Sequence, residues 1–93
     1  MVVGTLRLEV LIPNARTLKD KRRVVRSLID RLRHRFRVAA AEVEDNDVHN
    51  HAVLGFAAVS NEVRHAQSVL TQVVEFVRNS PNALLGEYDL EIL

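Results

Sequence analysis

The chain has 93 residues, 47% of them hydrophobic and 27% charged, with three Gly, two Pro, no Cys and a formal net charge of +1. That length suits one domain around one core, and the composition excludes collagen-like, low-complexity and disordered chains. Lack of cysteine removes disulfides, thiol nucleophiles and thiolate metal sites; no apolar run approaches the roughly 20 residues that cross a bilayer, and no secretory leader opens the chain, so a cytoplasmic protein is expected.

In chain order, Leu6, Leu8, Val10 and Ile12 are apolar while Thr5, Arg7 and Glu9 interrupt the odd positions, which predicts a half-buried strand over residues 3–12. Pro13 and Asn14 stop it. Thr17 followed three residues later by Asp20 has the form of a capping box and opens a helix. Along that helix Leu18, Val25, Leu28, Ile29, Leu32 and Phe36 recur at three- and four-residue steps, which places them on one face up to an end near Phe36. Residues 38–44 give a weaker strand signal, because three of them are alanines that would also suit a helix. After a polar connection over residues 45–51, residues 52–59 are apolar on both alternating faces and read as a central strand. Asn61 and Glu62 open a second helix with the stripe Val63, Ala66, Val69, Leu70, Val73, Val74 and Val77, ended by Asn79, Ser80 and Pro81. In the last strand Leu84, Tyr88, Leu90 and Ile92 are expected on one face and Glu87, Asp89 and Glu91 on the other.

Strand, helix, strand, strand, helix, strand, with the middle pair joined as a hairpin, predicts an α+β ferredoxin-like βαββαβ sandwich. Right-handed crossovers put both helices on one side of a four-stranded antiparallel sheet, as a single domain over residues 1–93.

Charge is unevenly distributed. Between Arg16 and Arg37 lie ten of the 13 basic residues against only Asp20 and Asp30, a local charge of +8 that leaves −7 for the rest of the chain. Such separation attracts an anionic partner or an acidic surface on another copy. Cations crowding the start of the first helix oppose its dipole, so Arg16, Thr17, Lys19, Arg22 and Arg23 are candidates for a phosphate seat. Helical spacing further aligns Lys19, Arg23, Arg26, Arg33 and Arg37 into a solvent stripe suited to a phosphate backbone.

The string TLKDKRRVVRSLIDRLRHRFRVAAAEVED over residues 17–45 resembles the signature of the small, uncharacterised bacterial YlxP-like family, with VLGFAAVSNE over residues 53–62 as its next block. Leu18, Lys19, Lys21, Arg22, Leu28, Phe36 and Glu42 all occupy family-like places. The resemblance implies the same ferredoxin-like fold, and the placing of the family's genes beside those for translation initiation and ribosome maturation implies an RNA-linked role. Where the family has a Trp in the mid-chain hairpin, this chain has Val48, His49, Asn50 and His51.

Other readings are weaker. Base recognition by the sheet needs aromatic platforms on its central strands, where only Phe56 is available. Leu11, Val53, Phe56, Ala57 and Val59 are instead candidates for a homodimer interface formed by the sheet. His49 and His51 with Asp45 and Asp47 lack the fixed geometry of a metal site, so no metal or other cofactor is expected. The turn IPNARTL lacks the Gly-rich loop of an acylphosphatase, and no nucleophile, base and orienting acid can be assembled from spacing. The leading expectation is a non-enzymatic RNA- or ribosome-associated module acting through the first helix. The alternative is a self-associating domain that dimerises through its sheet and docks an acidic partner.

Overall fold

Six elements follow in the order that the periodicities predict: β1 (Val2–Leu11), α1 (Leu18–Phe36), β2 (Ala39–Glu44), β3 (His51–Ser60), α2 (Val63–Arg78) and β4 (Leu84–Ile92), in a computed structural model that describes residues 1–93. The strands form one antiparallel sheet in the order β2-β3-β1-β4. Each half of the chain runs strand, helix, strand, and the two crossovers lay α1 and α2 on the same side of the sheet.

Alternation along β1 decides which side that is. Leu6, Leu8 and Val10 point into the core with Leu54 and Phe56 of β3, and the helices close it with Val25, Leu28 and Leu32 from α1 and Leu70, Val73 and Val77 from α2. Gly4 permits the close approach of α2, because a Cβ there would stand 2.9 Å from Leu70 Cδ1 and 3.3 Å from Ala66 Cβ. Val63, expected in the α2 stripe, is exposed in the first turn.

The final strand departs from its expected alternation. Leu8 pairs with Tyr88 and Val10 with Leu85, so Gly86 and Glu87 together oppose Glu9 in a β-bulge. The extra residue reverses the facing of everything before it. Leu85 thereby packs on the core, whereas Leu84, opposite Leu11, is left exposed on the other side of the sheet from Leu90 and Ile92. Tyr88 keeps the core-side register but lies on an edge strand and remains half exposed.

Candidate nucleic-acid interface

The start of α1 is capped by its own chain. Thr17 is the N-cap and its Oγ1 accepts from the Asp20 backbone N–H at 3.1 Å, while Asp20 Oδ2 accepts from the Arg16 N–H at 3.0 Å. The bond from Arg16, with smaller contributions from Thr17 and the Arg23 charge, holds the Asp20 carboxyl below its ordinary range. The Thr17 hydroxyl and the Arg16 backbone N–H are thus engaged in capping the helix, which leaves the side chains of Arg16, Lys19, Arg22 and Arg23 as the groups of the expected phosphate seat that face outward.

Lys21 is the second departure. Its helical position puts it in line with Val25, Leu28, Ile29 and Leu32, and its side chain is 0% exposed. The ammonium bonds Glu42 Oε2 at 2.7 Å and the carbonyls of Asp45, Asn46 and His51 at 2.8, 3.2 and 3.3 Å. One cation thus ties α1 to the end of β2 and the turn that follows. The interior i, i+4, i+7 spacing that carries Val25 and Leu28 was the signal that it points inward.

The remaining cations of α1 face outward. Lys19, Arg22, Arg23, Arg26 and Arg31, with Ser27 and Asp30, line an open groove of ≈ 750 Å³ along the helix that contains no apolar residue. Lys19, Arg22, Arg23 and Arg26 recur at steps of three and four residues, and with Arg31 they extend along about 18 Å of helix. None of them has a carboxylate within ion-pair distance; the lysine and arginine side chains that are paired are Arg7, Lys21 and Arg78.

Two members of the expected stripe lie elsewhere. Arg33 turns toward the sheet edge, where its guanidinium donates to the Ala40 carbonyl. Arg37 follows the last helical turn in the left-handed conformation, φ 54° and ψ 45°, with its N–H bonded to the Arg33 carbonyl at 2.9 Å. Arg31 and Arg35, absent from the expected stripe, reach toward α2 and cover the Phe76 ring.

The open face of the sheet also divides the residues proposed for it. Phe56 is 3% exposed and belongs to the core, since it opposes Leu6 on the helix side. Val53 faces the open side yet is only 1% exposed, between its cross-strand neighbours Glu9 and Glu44. Arg7 crosses above the strand here: it opposes Gly55, which has no side chain to stand in its way, and donates to both Glu44 oxygens on β2 at 3.0 Å each. Leu11 and Val59 do stand out, 47% and 68% exposed, with Ala57 partly covered between them. No aromatic residue lies on this face. His51 contacts Asp45 at 2.6 Å and Glu9 at 3.9 Å across the sheet end, and no three His, Asp or Glu side chains converge as they would around a metal ion.

Comparison with known proteins gives the chain its relatives. Residues 3–90 match the family described as "Protein of unknown function (DUF503)". An uncharacterized protein of Bacillus subtilis (strain 168), YlxP, is 29% identical over 80 residues, which cover 86% of this chain and 87% of that protein. A de novo designed protein with a ferredoxin fold, solved by solution NMR, superposes with a TM-score of 0.62 over 98% of this chain and 86% of its own at 14% identity, a likeness of fold.

Proposed function

Since the chain belongs to the DUF503 family, whose description assigns no function, its role must be argued from its surface, and we propose a non-enzymatic module that binds RNA, free or in the ribosome, through α1. The observation that carries this is the outer ridge of that helix: Lys19, Arg22, Arg23, Arg26 and Arg31 share one groove, and none is paired to a carboxylate. Cations held on one helix face without carboxylate partners form a surface that exchanges small counterions for the phosphates of a polymer.

Titration of a short fluorescent RNA by anisotropy at several salt concentrations tests the reading. With four phosphate contacts, the slope of log affinity against log salt should be about −3 for a single strand. The double reversal Arg23→Glu, Arg26→Glu should abolish most of the binding and flatten that slope, whereas Asp30→Asn should strengthen binding. Affinity indifferent to salt and to the reversal would remove the proposed mechanism.

A second reading has its own observation. Leu11, Val59, Val43 and Leu84 are exposed on the open sheet face, and a shallow depression of ≈ 520 Å³, rimmed by Arg7, Asp89 and Glu91, runs from Val43 over Ala39, Ala41, Gly55 and Ala57. A second copy is the occupant that such a small-residue surface suits, since two flat sheets can approach closely. Sedimentation over a range of concentrations should then show a dimer that Val59→Lys dissociates; a monomer throughout rejects this reading and leaves the RNA proposal intact.

A further inference from the structure

We propose that the ridge of α1 ends in a base-stacking site for single-stranded RNA, built from Arg31, Arg35 and Phe76. This rests on the preceding reading of α1 and specifies its ligand. Phe36 of α1 and Phe76 of α2 meet edge to face, with centroids 6.0 Å apart and planes at 86°. Two guanidinium groups lie over the Phe76 ring, Arg31 at 5.6 Å and Arg35 at 5.7 Å from its centroid, and Arg35 lies 5.6 Å from the Phe36 centroid as well.

Shielding a ring edge from water requires only an aliphatic stem, yet both positions set a planar charged head against the aromatics. Neither head has a carboxylate within ion-pair distance, although Glu75 lines the same cleft: that acid is bonded to Arg78. A guanidinium held at cation–π distance from a ring offers a flat face of its own together with N–H edges. A flat face of that kind takes an unstacked base, and the edges take the adjoining phosphate. The cleft of ≈ 450 Å³ beside Phe76 has the size of a small-ligand site and is also lined by Gln72 and Asn79, whose amide nitrogens donate to the Ser68 hydroxyl and the Glu75 carbonyl.

Continuity with the groove selects the ligand. Arg31 lines both the groove along α1 and the aromatic cleft, so a strand whose phosphates follow the ridge is delivered to the stacking platform. From Lys19 to Arg35 the track runs about 24 Å along the helix. A duplex keeps its bases inside and an acidic polypeptide has none, so both would use the ridge and leave the platform idle.

Four probes separate these cases at matched salt: a short single-stranded RNA carrying the fluorescent base analogue aminopurine, a paired RNA duplex, linear polyphosphate and polyglutamate. The single strand should bind about tenfold tighter than polyphosphate, with quenching of the analogue. Arg35→Lys keeps the charge and loses the plane, and Phe76→Leu keeps an apolar side chain and loses the ring. Each should lower single-strand affinity about tenfold and remove the quenching, with polyphosphate affinity and the salt slope unchanged. Arg35 is exposed, so its variant reports even if Phe76→Leu unfolds. Equal binding of all three phosphate polymers with no effect of either variant overturns the stacking site and spares the ridge. Failure of every phosphate polymer to bind overturns both, as does a preference for polyglutamate.

Discussion

Lys21 and Glu42 form the most buried ion pair of the molecule. The lysine Nζ is enclosed, bonded to one carboxylate and three carbonyls, and the structure leaves no buried side-chain polar atom without a partner. Removing one member of a buried pair strands the other, which costs about 3–5 kcal/mol, whereas exchange of both for apolar groups of similar size is far milder. Lys21→Met should therefore lower stability by about 3 kcal/mol or more in urea unfolding, and Lys21→Met with Glu42→Leu should recover a large part of it. Additive losses in that double-mutant cycle would show that the carbonyl bonds, and not the carboxylate, are what the lysine supplies. The linear string makes Lys21 one cation among ten; its burial becomes legible only from its phase on the helix.

Helix α1 shows a conflict between stability and the role proposed for it. Lys19 sits in the first turn, where the helix dipole favours an acid, and faces Arg22 and Arg23 at three and four residues' distance. Lys19→Glu would satisfy the dipole and place an acid four residues before Arg23, a gain of about 0.5–1 kcal/mol. Thermal unfolding at low salt should show the variant more stable than the parent while its RNA affinity falls; a fall in both would mean that Lys19 is part of the fold and not of the ridge. Strand pairing was equally open to partial reading. Alternation in β1 identified its buried side, but the bulge opposite Glu9 inverts Leu84 and Leu85, and such an inversion leaves no mark in an apolar pattern that already contains two adjacent leucines.

The charges of the assembled molecule separate by layer. Cations ride on the helix layer, while Glu9, Glu44, Asp89 and Glu91 fall on the open side of the sheet, in register with Val53, Thr5 and Arg7. Acid should undo this arrangement. Glu44 is held below its ordinary value of 4.5, chiefly by its hydrogen bonds from Arg7, and Asp20 below 3.8 by its bond from Arg16. Depressed carboxylates contribute stability that is fully present above those ordinary values and is lost as pH falls through the lower values of the folded state. The same hydrogen-bonded pair raises the Arg7 guanidinium above its ordinary value, so its share disappears only in strong alkali. Thermal midpoints should therefore hold steady from pH 7 to about 5 and drop below about 4, with Glu44→Gln removing part of the acid-side drop. The Glu44 carboxylate is exposed, so added salt should shrink the difference between parent and variant. A midpoint flat to pH 3 would show that neither bond matters in solution.

Local periodicity was enough to define six elements, their order and the ferredoxin-like class, because apolar spacing of two or of three to four residues states which side of each segment must leave water. The same string also states that ten cations lie within 22 residues. Which of them stay free is a matter of packing: Lys21 is consumed by Glu42 and a turn, Arg33 by an edge carbonyl, and Arg37 marks a helix end. Arg31 and Arg35 meet Phe76 only because the fold sets α2 beside α1, a contact between residues 41 or more positions apart that no local pattern can encode.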